Sequence, residues 1–250
     1  MQQNKFAQQL NDSLNLSMAP VAIAFPDDLP AELASFDGVV PAGCSFWEKA
    51  MTQTFVTTSD DHALCAIGVH THQMADAPAT QMVELRASLG AMIGLDYVRE
   101  AEVAAIPVMQ KPSRHVVYGP LADFPLAPDC VLLFANAQQG LILSEAVARV
   151  DDASAPAMGR PACAVIPQVI NSDRAAVSLG CCGARAYLGA LSDNVALWAL
   201  PGSKLAEYCE QIETLGKANG ILAQFHQRRG SDIATGERPS VEQSLQRLAE

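Results

Sequence analysis

Four cysteines are the residues of this chain best suited to chemistry: Cys44, Cys65, Cys163 and Cys181. Cys44, Cys163 and Cys181 fall at or just before expected helix starts, where free backbone amides and the positive end of the helix dipole lower a thiol's pKa. Thiolate is the form that binds metal or attacks an electrophile. Four such sulfurs meeting in one place satisfy the ligand count of a cubane iron-sulfur (4Fe-4S) cluster or of a tetrahedral zinc site. Gly43, Gly68, Gly180 and Gly183 stand nearby in the sequence. Glycine lets backbone approach a bulky inorganic core and offer amide donors to it. The densest stretch is 162–185, with Cys163 near its start and Cys181, Cys182, Gly183 and Arg185 at its end. Spacing does not bring the four thiols together, because neither a short ferredoxin run nor paired Cys-x-x-Cys arms are present. Convergence is left to the fold.

Each of these residues also has a plainer reading. Free cysteines are commonly small buried hydrophobes, and Cys130 and Cys209 read that way because both lie inside apolar runs. Cys182 either packs, backs up Cys181 as a ligand, or pairs with it; packing is the simplest. His62, His70 and His72 could supply nitrogen ligands, with a mixed Cys and His site if they approach Cys65, although loop histidines are more often solvated. Arg185 follows Gly183 by two residues and suits an anionic ligand at the turn or the balancing of thiolate charge; a surface salt bridge is the competing fate. Asp60 and Asp61 read as helix cap and dipole partners, with Ser59 opening a helix that carries His62 and Cys65 on one face.

The elements that must position these groups follow from apolar patterning. Strands are expected over 20–25, 52–58, 114–118, 129–134, 175–179 and 195–200. Helices are expected near the N-terminus and over 79–93, 97–105, 137–150, 161–170 and 184–191, with a long final helix opening at Pro201-Gly202-Ser203. Strands and helices mix without the βαβ alternation of a doubly wound fold. The expected class is therefore α+β, a mixed sheet with helices packed on it and strand-turn-helix elements carrying the cysteines. Residues 1–230 read as a single domain with a candidate hinge at 151–160, and 231–250 as a polar, frayed tail. No Walker-type loop or dinucleotide fingerprint occurs.

Composition bounds the function. The chain has 250 residues, half of them hydrophobic, enough for a sizeable core. Its net charge of −11 leaves no basic stripe for nucleic acid. The N-terminal segment lacks the apolar run of a secretory signal or membrane span, so the expected setting is cytoplasmic. Seven cysteines in a reducing compartment argue for ligands or reactive thiols over a disulfide framework.

These features resemble the domain of unknown function 169 family, an archaeal-conserved-region group. The resemblance runs over about 11–208. It rests on an early strand like 20–25, a cysteine in the next helical segment at Cys44, and a second at Cys65 followed by Gly68. It continues through the strand near 131–134 and the Ala162-Cys163 pair to Ser178-Leu179-Gly180-Cys181-Cys182-Gly183-Ala184-Arg185, its most specific part, and a strand ending in Pro201. Two departures stand out: Cys65-Ala66-Ile67-Gly68 replaces a frequent Cys-Pro-Gly-Gly, and Cys182 replaces a residue that is often aromatic. The resemblance implies no activity; it marks Cys44, Cys65, Cys163, Cys181 and Arg185 as the matching positions.

Three functions are compatible with this reading. The first is an iron-sulfur or other metal protein that uses the four cysteines in a redox or small-ligand role, with Gly183 and Arg185 beside the cofactor. The second is a metal-free binding module or thiol enzyme with Cys181 as the reactive thiol. The third is a structural zinc protein. The first is the expectation carried forward; a small-molecule ligand or redox partner is expected, and an oligomer is allowed.

Overall fold

Two near-continuous apolar runs, 130–136 and 195–201, pair antiparallel from Cys130 opposite Pro201 to Asn136 opposite Val195. Runs of this kind, apolar on both sides, suit a strand covered on both faces. Around this pair the computed structural model, which describes residues 2–189 and 191–247, builds one seven-stranded sheet. In chain order the elements are α1 (Gln2–Leu14), β1 (Val21–Ala24), α2 (Ser45–Ala50), β2 (Phe55–Thr57), α3 (Ala66–Thr71), α4 (Ala79–Gly94), α5 (Glu100–Val103), β3 (Val116–Pro120), β4 (Cys130–Asn136), α6 (Ala137–Val150), β5 (Ala157–Met158), α7 (Val165–Ser172), β6 (Ala176–Ser178), α8 (Cys182–Tyr187), β7 (Val195–Pro201), α9 (Leu205–Ala234) and α10 (Val241–Gln246). The strand order is β2-β3-β1-β4-β7-β6-β5. All neighbours are antiparallel except β5 and β6, so the sheet is mixed and the class is α+β, as expected.

The two-residue period of the strands divides the core between the faces. Ala22, Val117, Val131, Leu133, Trp198 and Leu200 point to one side, where they pack with Leu10 of α1, Leu143 of α6 and Tyr208 and Ile212 of α9. Ile23, Tyr118, Leu132, Phe134 and Leu197 point to the other, against Trp47 of α2, Val69 of α3, Ile166 of α7 and Ala184 of α8. The first side is regular helix. The second is short helices entered through turns, and it carries the candidate thiols.

Local caps fix where the chain changes direction. Asn136 Oδ1 accepts from the Gln139 amide at 3.0 Å and Gln139 Oε1 accepts from the Asn136 amide at 2.8 Å, a reciprocal cap worth about 1 kcal/mol. The Gln139 side-chain amide also donates to the Leu14 and Asn15 carbonyls, tying the end of α1 to the start of α6. Asp151 closes α6 with a buried carboxylate that accepts from the Ala175 amide at 2.7 Å, the Tyr208 hydroxyl at 2.6 Å and the Lys204 ammonium at 3.3 Å.

Three local expectations differ from the structure. No helix starts at Ser59: the Asp61 carboxylate accepts from both the amide and the hydroxyl of Thr58, at 2.7 and 3.0 Å, and this side-chain bond competes with helix formation. Residues 59–64 are turn, and α3 begins only at Ala66. The 151–160 segment begins at the pinned Asp151 and contributes β5 to the sheet edge. Beyond Arg229, α9 continues to Ala234 and α10 folds back on it, where Arg229 donates to the Pro239 carbonyl and Ser244 hydroxyl and Arg247 pairs with Asp232 and Glu237. Residues 1, 190 and 248–250 of the expected domain, helical turn and tail lie outside the described residues. Among the described residues no helix is long and apolar enough to cross a membrane.

Candidate functional site

Each of the four thiols sits where a helix or helical turn begins. Cys44 precedes α2. Cys65 ends the turn after His62, its amide bonded to the His62 carbonyl at 2.8 Å, and is the N-cap of α3. Cys163 occupies the middle of a single 3-10 turn, Ala162–Ala164, that leads into α7. Cys181 is the N-cap of α8 in extended backbone, its Sγ accepting from the Ala184 amide at 3.4 Å. Four segments distant in sequence thus deliver sulfur to the same side of the sheet. All six pairs among Cys44, Cys65, Cys163 and Cys181 are near enough for ionisation of one thiol to oppose that of the other. Among the described residues, however, no three His, Cys, Asp or Glu side chains stand as a ready-made site for a metal ion.

Burial dominates the electrostatics of the cluster. The Cys44 thiol is pushed up to about 12 by burial and then by Cys65 and Cys181, against the pull of its own amide and that of Ser45. Burial raises Cys65 as well, while the Gly43 and Gly68 amides and Cys181 act on it in opposite senses. Cys163 lies well above the usual thiol range through burial and Cys65; the Thr71 hydroxyl, whose one proton is shared between the Gly68 carbonyl at 3.3 Å and the Cys163 sulfur at 3.7 Å, partly offsets this. At neutral pH these three thiols therefore keep their protons, which makes them poor nucleophiles. A cation at their centre would reverse that preference, because metal binding displaces thiol protons. Every one of the four sulfurs already has an N–H or O–H directed at it.

The surroundings hold polar atoms without partners. A Cβ on Gly43 would lie 3.3 Å from His62 Nδ1 and 3.7 Å from Cys65 Sγ; one on Gly68 would lie 3.0 Å from Cys65 Sγ and 3.7 Å from His62 Nδ1. The Thr57 hydroxyl lies 3.2 Å from the Val116 carbonyl and 3.0 Å from His62 Nε2, and donates to one or the other according to the His62 tautomer. His62 Nδ1 is buried and has no partner among the described residues. Both nitrogens of buried His72 and the hydroxyl of Tyr118 are likewise unpartnered. Burial holds His62 well below the usual imidazole range and His72 at about 4, so both are neutral.

The remaining expected site residues are placed apart from this cluster or used otherwise. The Arg185 guanidinium donates to the carbonyls of Leu179, Ser192 and Val195, clamping the loop that carries Cys181. It needs Gly180, whose φ of +95° favours glycine and where a Cβ would lie 2.9 Å from Arg185 Nε. Gly183 faces open space. Cys182 is exposed, His70 is half-buried, Cys130 lies within β4, and Cys209 packs in α9 on the opposite face. Asp61 braces the turn before Cys65, and Asp60 is exposed. Sequence reasoning missed Thr71 and Tyr118. Thr71 lies between His70 and His72, which carry the stronger ligand signal, and Tyr118 reads as an ordinary strand residue.

The model of the uncharacterised ArCR family, domain of unknown function 169, matches residues 9–211. No curated protein and no solved structure is significantly similar to the chain.

Proposed function

The chain belongs to the domain of unknown function 169 family, and from that premise and the gathered thiols we propose that it is an iron-sulfur protein with a redox role, its cluster held by Cys44, Cys65, Cys163 and Cys181. The observation that carries the reading is that these four, out of seven cysteines, enter one side of the sheet at helix starts and lie within electrostatic reach of one another in all six pairings. Hydrogen bonds to sulfur tune and stabilise thiolate-ligated clusters. The amides of Gly43, Ser45, Gly68 and Ala184 and the hydroxyl of Thr71 are positioned for that task.

The donor set also favours a cluster over one ion. Tetrahedral zinc at about 2.3 Å from each sulfur draws its ligands to within roughly 4 Å of one another. A cubane gives each thiolate its own iron and so spreads them. Among the described residues no three His, Cys, Asp or Glu side chains form a ready single-ion site, which counts against the first case. When bound, such a cluster supplies reversible one-electron chemistry. With all four irons capped by cysteine, the role is exchange of electrons with a redox partner. The raised pKa values of Cys44, Cys65 and Cys163 speak against a thiol-enzyme role for those residues. Seven free thiols accord with a reducing, cytoplasmic setting.

Anaerobic purification followed by iron and acid-labile sulfide analysis tests the proposal. Brown protein with a broad thiolate-to-iron charge-transfer absorption is expected, and serine at any of the four positions, Cys181→Ser first, should abolish loading. Cys182→Ser and Cys209→Ser should retain it. Full iron content in Cys181→Ser, or loss with Cys209→Ser alone, would overturn the assignment.

A further inference from the structure

Tyr118 carries a buried phenol that the fold itself leaves without a partner. The residue lies in β3 between Ile23 of β1 and Phe55 of β2, and it faces the side of the sheet that carries the thiols. Its ring is fixed by stacking on Phe46, with centroids 5.5 Å apart and planes at 24°, and by the His62 ring at 6.4 Å and 29°. The hydroxyl is inaccessible to solvent and makes no hydrogen bond among the described residues. Native proteins seldom leave such a group unsatisfied, because its desolvation is uncompensated. Cys44 and Cys163 belong to the same buried cluster of side chains, with Cys181 packed against it; burial, and then the thiols of Cys163, Cys65 and Cys44, hold the phenol well above its ordinary pKa. A phenol is an O–H donor at neutral pH, and thiols of the proposed cluster site share its buried surroundings.

We propose that the Tyr118 hydroxyl donates a hydrogen bond to sulfur of the cluster held by Cys44, Cys65, Cys163 and Cys181, and thereby raises its reduction potential. This inference rests on the iron-sulfur reading above. On reduction the cluster gains one electron; no bond forms or breaks, and the proton stays on the Tyr118 oxygen. A donor binds more strongly to the more negative acceptor, so the reduced state is stabilised. The Gly43 and Gly68 amides donate from the backbone and survive any side-chain change. Tyr118, like Thr71, is a donor that mutation can remove.

The test compares wild-type protein with Tyr118→Phe and with fluorotyrosine incorporated at position 118, a stronger donor of the same shape. In metal-free protein Tyr118→Phe deletes an unpartnered group, so its thermal midpoint should stay level or rise. In reconstituted protein the potential of Tyr118→Phe should fall by about a tenfold change in the oxidised-to-reduced ratio, equivalent to about 59 mV for a one-electron couple. Fluorotyrosine should move it the other way. Equal potentials in all three loaded proteins, or a metal-free Tyr118→Phe that melts well below wild type, would overturn the role of Tyr118 alone. A wild type that takes up no iron would overturn the cluster reading and this inference with it.

Discussion

Replacing Gly68 with alanine separates the stability of the fold from the integrity of the site. Gly68 lies inside α3, where alanine is the better helix former by about 1 kcal/mol. On propensity alone, metal-free Gly68→Ala should be at least as stable as wild type. The added methyl, however, would stand 3.0 Å from Cys65 Sγ and 3.6 Å from Cys65 Cβ. Carbon contacts settle at about 3.5–4.0 Å, so the sulfur must move by roughly 0.5 Å. Metal–ligand distances tolerate about 0.2 Å, and comparable disturbances around metal ligands cost about 10- to 100-fold in affinity. Gly43→Ala should do less, since its methyl would touch Cys65 Sγ at an ordinary 3.7 Å and press chiefly on His62 Nδ1 at 3.3 Å. Gly183→Ala should do nothing, having no neighbour within 4 Å. Iron and sulfide per chain after reconstitution with limiting iron, alongside the thermal midpoint of each metal-free variant, give the order directly. Gly68→Ala loading as well as Gly183→Ala would refute Cys65 as a ligand.

Two further predictions concern the scaffold. Asp151→Ala leaves the buried Ala175 amide and Tyr208 hydroxyl without an acceptor and the Lys204 ammonium without its partner, at a cost of about 3–5 kcal/mol; chemical denaturation measures it, and a cost under 1 kcal/mol would refute the pinning role assigned to this carboxylate. His72 has a folded pKa of about 4 against an ordinary 6.5, so below about pH 6.5 the unfolded chain binds the proton first. Stability from this residue is complete above that pH and is lost at about 1.4 kcal/mol per unit as pH falls towards 4. Urea midpoints at several pH values should show the decline, and His72→Phe should remove its share of the slope while the share of His62, also lowered by burial, stays; an unchanged slope in that variant would place the acid sensitivity elsewhere.

The sheet and most helices were legible because their signals are local. The runs at 130–136 and 195–201 carry β-formers without polar interruption, and α6 announces itself through the Asn136 and Gln139 cap. The start of α3 was not legible, since Ser59-Asp60-Asp61 offers a plausible helix cap and only the fold shows Asp61 turned back onto Thr58. Proximity to Cys181 in the sequence marks Gly183 and Arg185 as cofactor contacts. The structure uses Arg185 instead to clamp three carbonyls, a role that depends on where Ser192 and Val195 return in space.

The thiols show the same division between local and non-local information. Residue type and position at a helix start can be read from a sequence, and they marked Cys44, Cys163 and Cys181. Their meeting point cannot, because it is set by the strand order β1-β4-β7-β6 and by which face each crossover takes. Cys65 illustrates the consequence: placed within a helix by pattern, it is in fact an N-cap, which directs its sulfur between the Gly43 and Gly68 amides. Those two glycines come from different segments, so neither alone could have marked the spot. What sets the four cysteines apart from Cys130 and Cys209 is therefore not burial, which Cys44 and Cys163 share with them. It is the combination of mutual proximity with donors aimed at sulfur, a property of tertiary structure that no spacing rule in this chain encodes.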